Sequence, residues 1–340
     1  MVDAFREAGL FGLLVPARLG GGERSPQEFI SVIEAVAEAD GAAAWCLMIG
    51  ATTGILSAYL PEPEAREIFR PGAITGGVYA PLGTAEPAPG GWRVSGRWPF
   101  ASGCQHCDWL LGGARVESGP PRLMFFPSAE VEIIDTWEVS GLMGTGSNDI
   151  AVKDLEVPAA RSVALTADLP LHPGRLYAFP VFGLLALGIA SVALGIARGA
   201  IDDLLDLAGA KTPTGSRRKL AERPLVQATV AEAEAILSSA RAFVFEAVEA
   251  AWEAAGAGTV LELAPRARLR LAATHATIAS ARVVDLMYSA GGGTSIYRTS
   301  PLQRRFRDVH TATQHVMVAP PTLELSGRVL LGLETDVSAL

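Results

Sequence analysis

The apolar residues of this chain keep a helical period over residues 1–70, switch to short extended runs broken by glycine between 71 and 160, and return to a helical period from 174 to 333. In the first part, Ser25-Pro26-Gln27-Glu28 combines an N-cap, a first-turn proline and a capping-box glutamate. A helix is expected from there to Gly41, followed by an apolar one from Ala42 to Leu60 that contains Trp45 and stops at Pro61-Glu62-Pro63. The middle part reads ITGGVYAP, WRVSGRWPF, WLLGGARV, RLMFFP, VEIIDTW and IAVKDLEVP, a set of strands with frequent turns. The last part repeats small and apolar residues at helical spacing through 224–255 and 265–288. The chain should therefore be mainly α with an inserted β domain. We expect an N-terminal helical domain (1–70), a central small β-barrel or sandwich (71–160) and a C-terminal antiparallel helix bundle (174–333).

Hydrophobic residues make up 49% and charged residues 19% of the chain, with a formal net charge of -8, which argues against a nucleic-acid footprint. Residues 177–197 are uncharged and long enough for a membrane span, but Ala, Gly and Pro180 and the lack of a companion segment favour a buried bundle helix. The opening VDAFREAGLFGLL reads as an amphipathic helix and not as a signal peptide. Three cysteines, Cys46, Cys104 and Cys107, fit a reducing cytoplasm. Cys104-Gln105-His106-Cys107 has the spacing of half a zinc or redox site; with no second half it reads as small buried thiols, and no metal is expected.

The densest stretch for chemistry is WRVSGRWPFASGCQHCDW, Trp92 to Trp109. Val94, Trp98 and Phe100 are spaced for extended chain and Ser102-Gly103 breaks it, giving a strand that ends in a turn with exposed amides, a suitable end for a flat polar ligand. A strand with two Trp also reads as core. The wording GGWRVSGRWPFASG resembles the middle strand motif of the acyl-CoA dehydrogenase superfamily, in the branch that includes flavin-dependent two-component monooxygenases. Asp135-Thr136-Trp137 with Gly144-Thr145-Gly146-Ser147 and Asp149 resembles its second β signature, and SAGGGTSIYRTSPLQRRFRDVH keeps the family order of the tail. Members of the family carry a further helix ahead of the first one here, so the resemblance implies a chain that begins late.

The resemblance implies a flavin, FAD or its reduced form, with FMN as the alternative. It places the flavin ring against Trp98, Phe100, Ser102 and Gly103. It also places the dinucleotide of a neighbouring subunit on the basic turn 211–223, where Arg218 is the candidate among Arg217, Arg218 and Arg223, on Gln227 just beyond that turn, and on Gly291, Gly292 and Gly293. By themselves the glycines are also ordinary helix caps, although such a run leaves amides open to a phosphate. Ala-rich helix faces and the resemblance together imply a homo-oligomer, a dimer of dimers.

Dehydrogenases of this superfamily carry a glutamate base just after the arginine-aspartate pair. The same offset from Arg307-Asp308 reaches Val316, and Glu324 lies beyond Pro320-Pro321. Glu246 and Asp285 lie on helices where some relatives place the base, but no motif supports them. The expected activity is therefore a monooxygenase that takes reduced flavin from a separate reductase and, with O₂, hydroxylates a small organic substrate. An FAD-dependent acyl-CoA dehydrogenase and a non-catalytic flavin-binding homologue are the alternatives. Ser102 is expected to hydrogen-bond the N5 edge of the flavin, together with the Gly103 amide. His315, one place before the missing glutamate, is the expected acid-base residue, titrating near neutrality, with His106 as rival. On a continuous helix the five-residue step from His310 to His315 would turn the two histidines to different sides.

Overall fold

The computed structural model describes residues 1–256, 261–338 and 340. In chain order the helices are α1 (Val2–Glu7), α2 (Pro26–Ala39), α3 (Gly41–Thr53) and α4 (Glu62–Ile68). Seven strands follow: β1 (Thr75–Ala88), β2 (Gly91–Trp98), β3 (Trp109–Val116), β4 (Arg122–Pro127), β5 (Glu132–Ile134), β6 (Asp149–Pro158) and β7 (Ser162–Val163). The remaining helices are α5 (Arg175–Ala178), α6 (Val181–Ala210), α7 (Pro224–Gly256), α8 (Leu263–Gly291), α9 (Pro301–Ala312) and α10 (Pro321–Leu330). The chain divides into two compact units, and neither is one continuous stretch. The first holds Met1–Ser25, Trp45–Glu138 and Met143–Ala178; the second holds Pro26–Ala44, Val139–Leu142 and Phe179–Leu340. Residues 1–70 are thus shared between the units.

The strands of the first unit form a single sheet in the order β5-β6-β2-β1-β3-β4-β7, with β1 and β3 parallel and the other pairs antiparallel. Its edges are the three-residue β5 and the two-residue β7, short enough to present few unpaired backbone groups. Trp98 is fully buried at the middle of this sheet. A Cβ at Gly83 of β1, Gly96 of β2 or Gly112 of β3 would fall 2.4, 2.7 or 2.6 Å from its indole, so three neighbouring strands leave out side chains where the ring lies. The indole Nε1 donates to the Gly113 carbonyl at 2.7 Å, which satisfies the one polar atom that the ring takes out of water.

In the second unit, α6 packs against α2, α8 and α9, and α7 and α10 pack against α8. α6 is apolar and long enough to cross a membrane by length and composition, as are residues 41–59, and most of each such stretch is buried. A Cβ at Gly195 of α6 would fall 2.2 Å from the Glu34 carbonyl oxygen of α2, so the missing side chain sets how closely these helices approach. Alanines 233, 240, 247 and 251 alternate with Leu237, Val244 and Val248 in the buried face of α7, which packs on α8. The Arg305 Nε donates to Asp203 at 2.6 Å and ties α9 to α6. Arg307 and Asp308 hold the segment 139–142: Arg307 donates to the Ser140 carbonyl at 2.7 Å, and the Leu142 amide donates to Asp308 at 2.6 Å.

Candidate functional site

In the first unit the turn after β2 carries Phe100, Ser102 and Gly103. Phe100 has φ +66°, a left-handed conformation that is costly for an aromatic residue, and its side chain is 68% exposed. Its ring meets Trp137 edge-on with centroids 6.1 Å apart. The buried Asn148 fixes that neighbour by accepting the amides of Thr136 and Trp137 on one side-chain oxygen at 3.0 and 3.1 Å. An aromatic corner is thus held toward solvent by the backbone.

The amides of this turn are not available to a ligand as the sequence suggested. The Gly103 amide donates to the Thr145 carbonyl at 2.9 Å, the Ser102 amide to Phe100 at 2.9 Å, and the Ala101 amide to Asn148 at 3.0 Å. A buried backbone donor seeks a partner wherever one is in reach, and the turn 143–148 supplies it. Trp98 is corrected in the same way. Enclosed by glycine positions of three strands, it offers no ring face to a cofactor and serves as the anchor of the sheet.

What this turn does offer is a hydroxyl. Ser102 is 6% exposed, and its Oγ accepts from the Trp45 indole Nε1 at 3.0 Å and lies 2.7 Å from the Ser147 Oγ, which lies 2.7 Å from the Thr145 Oγ1. The three cysteines surround this chain and donate to its backbone: Cys46 to the Thr145 carbonyl, Cys104 to Gly146 and Cys107 to Gly103. Burial pushes the Cys104 and Cys107 thiols up, so both stay protonated donors. Burial, then the charge of Arg6, pushes His106 down. Ser147 and Thr145 stand within the second β signature and Trp45 within an apolar helix, and nothing local marks a tryptophan 57 positions before Ser102 as its partner.

In the second unit the structure brings two of the expected segments together. The Lys211 Nζ, at the end of α6, donates to the Gly291 carbonyl at 2.8 Å, so the basic turn begins beside the glycine run. Gly292 has φ +60°, and a Cβ at Gly292 or Gly293 would meet nothing within 4 Å, whereas Gly291 is packed by Ser295 and Leu302. Arg218 is exposed and forms no ion pair among the described residues, and Gln227 donates to the Ala221 carbonyl at 3.0 Å. A tethered basic turn beside open glycines fits the anionic half of a dinucleotide.

α9 ends at Ala312, so His315 sits in the turn beyond the helix and the helical step from His310 does not apply. The His315 Nδ1 accepts the Met317 amide at 3.2 Å, which places the proton of the neutral ring on Nε2. Burial, then the charge of Arg270, pushes His315 down to about 4, so at neutral pH it is an uncharged donor and not a group titrating near 7. Arg270, itself 2% exposed, donates to the Met317 carbonyl at 3.3 Å. The two carboxylates weighed as dehydrogenase bases are engaged elsewhere: Glu246 accepts from Arg268 at 2.6 Å, and Asp285 lies 2.9 Å from the His310 Nε2. Val316, at the glutamate position, is 76% exposed.

Residues 187–320 match the family described as acyl-CoA dehydrogenase, C-terminal domain. The chain is 35% identical over 338 residues to the indole-3-acetate monooxygenase of Pseudomonas putida, covering 98% of this chain and 86% of that one. It is 30% identical over 363 residues to the FADH(2)-dependent resorcinol hydroxylase, oxygenase component, of a Rhizobium species, covering 98% and 87%. Among solved structures it is similar to XiaF from Streptomyces sp. in complex with FADH2 and glycerol, with a TM-score of 0.92, 26% identity and coverage of 99% and 89%.

Proposed function

We propose that this chain, which belongs to the flavin-dependent monooxygenases built on the acyl-CoA dehydrogenase fold, is the oxygenase component of a two-component system. It takes reduced flavin from a separate reductase and, with O₂, hydroxylates a small aromatic compound. The observation that carries this reading is the buried hydroxyl of Ser102, two residues from an exposed, left-handed Phe100 whose ring meets the half-buried Trp137. That corner offers a flat ring an apolar wall, and Ser102 offers its N5 edge a hydrogen bond.

The reduced flavin supplies the electrons that activate O₂. The remaining roles fall to this chain. Arg218, Gln227 and the open Gly292 and Gly293 hold the adenosine diphosphate half, which favours FAD over FMN. As in the family, this half belongs to the flavin of a neighbouring copy in a dimer of dimers. His315, in the turn after α9, is the acid-base candidate and acts as a neutral Nε2–H donor. The free thiols agree with a cytoplasmic setting. An acyl-CoA dehydrogenase with its base on the tail would need a carboxylate where Val316 stands, and the two helix carboxylates, Glu246 and Asp285, are engaged with Arg268 and His310.

Anaerobic equilibrium dialysis with oxidised and reduced FAD and FMN tests the cofactor, and reduced FAD should bind. Supplying a flavin reductase, NADH, O₂ and a panel of indoles and phenols tests the reaction, with product and hydrogen peroxide followed separately. No binding of any of the four flavins overturns the cofactor reading. Bleaching of bound oxidised FAD by a CoA thioester, with no product from the panel, overturns the monooxygenase reading.

A further inference from the structure

We infer that Trp45, Ser147 and Thr145 are positioning residues that let the Ser102 hydroxyl reverse its hydrogen-bond direction, so that it donates to the N5 of an oxidised flavin and accepts from the N5–H of a reduced one. The inference rests on the reading that Ser102 faces the flavin N5. The Trp45 indole fixes one of these directions. Its Nε1–H is a donor only, so one lone pair of the Ser102 oxygen always accepts from Trp45, at 3.0 Å. Ser102 keeps one proton and one further lone pair. The two O–H···O links beyond it, Ser102 to Ser147 and Ser147 to Thr145, are both 2.7 Å long, and each can run either way because every member is a hydroxyl.

Two arrangements of the protons follow. In the first, Ser102 donates to Ser147 and Ser147 donates to Thr145. The second lone pair of Ser102 is then open and takes an N–H. In the second, Thr145 donates to Ser147 and Ser147 donates to Ser102. Both lone pairs of Ser102 are then used, its proton is released, and it acts as a donor strengthened by the two bonds that it receives. Passing from one to the other rotates hydroxyl hydrogens and moves no heavy atom. Ser102, Ser147 and Thr145 are 6%, 3% and 2% exposed, so water does not substitute for a missing member. The backbone that carries them is pinned by the Gly103 amide and the Cys46 thiol, both on the Thr145 carbonyl.

The chemistry of the ligand supplies the match. The N5 of an oxidised isoalloxazine is an acceptor, and after two-electron reduction it is an N–H donor. A lone serine serves the first without loss. To serve the second it must send its own proton elsewhere, and in a buried site an unplaced proton is costly. Ser147 is where that proton goes, and Thr145 takes the next one.

The test is the ratio of the dissociation constants for reduced and oxidised FAD, measured by anaerobic equilibrium dialysis, together with the visible absorption of the bound oxidised flavin. Ser147→Ala should weaken reduced FAD roughly tenfold and leave oxidised FAD nearly unchanged. A tenfold change in that ratio lowers the two-electron potential of the bound flavin by about 30 mV. Thr145→Val, which keeps the side-chain shape, should act in the same direction because it leaves the Ser147 proton only Ser102 to go to. Ser147→Thr should restore the ratio, which a packing defect would not predict. If Ser102→Ala changes neither affinity nor the spectrum, the placement of Ser102 at the flavin falls. If Ser102→Ala changes them while Ser147→Ala and Thr145→Val leave the ratio as in the wild type, that placement stands and the reversing chain is wrong.

Discussion

Lys211, the residue that closes α6, donates to the carbonyl of Gly291, the last residue of α8, at 2.8 Å. The final carbonyls of a helix lack intrahelical partners and carry the negative end of its dipole, so a lysine is a suitable cap for them. The bond fixes the start of the basic turn against the open glycines at 292 and 293. Lys211→Met should cost the fold only about 1 kcal/mol, the scale of one hydrogen bond. It should weaken FAD about tenfold and leave FMN unchanged, because FMN has no adenosine half to hold. Parallel dialysis with the two flavins checks this; equal losses for both would remove the turn and the glycine run from the dinucleotide site.

Phe100 pays for its exposure with backbone strain. A left-handed φ in a bulky residue costs roughly 1–2 kcal/mol, and the edge contact with Trp137 returns about 0.5–1.5 kcal/mol. Phe100→Gly should therefore leave thermal stability within about 1 kcal/mol of the wild type, while flavin binding weakens several-fold. Calorimetry and flavin titration of one preparation separate the two effects. A large fall in stability with unchanged flavin affinity would make Phe100 structural.

Trp98 should behave in the opposite way. Trp98→Phe opens a cavity ringed by glycine backbone and removes the indole donor from the Gly113 carbonyl, for a loss of about 2–4 kcal/mol. Gly112→Ala forces a methyl to 2.6 Å from the ring and should cost about 1–3 kcal/mol. Urea unfolding measures both. A Trp98→Phe protein of wild-type stability and weakened flavin binding would return the indole to the ligand.

The contrast between these residues shows what could be read in advance. The helix–strand–helix order and the strand runs follow from local period, and the structure has strands over all six expected runs. The role of Trp98 depends on Gly83, Gly96 and Gly112 on three strands, and no window of sequence brings those together. Arg307-Asp308 were legible only as members of an ordered motif; their task of holding Ser140 and Leu142 is a contact across more than 160 positions. The same holds for Trp45 and Ser102. α2 carries the signals of any amphipathic helix, and its membership of the second unit depends on packing against α6, a partner that local pattern does not name. For His315 the position was legible and the titration was not, because burial decides it.

That burial sets the sign of the pH dependence at His315. Its folded value, about 4, lies below the ordinary 6.5, so between those pH values the unfolded chain binds the proton and the folded chain does not. Stability is therefore whole above about 6.5 and is lost progressively as the pH falls toward 4, by up to a few kcal/mol. His106 and His172 are also held down, so the informative quantity is the difference between the wild type and His315→Gln. The variant should match or fall below the wild type at pH 8 and lose less stability between pH 6.5 and 4.5. The activity profile should separate cleanly from this. As a neutral donor at every pH from 6 to 9, His315 contributes no inflection there, so His315→Gln should lower hydroxylation by roughly 10² or less and leave the limbs of the pH–rate curve in place. A wild-type limb near 6.5 that disappears in His315→Gln would show that the imidazole titrates in the working enzyme, and the neutral-donor role would be wrong.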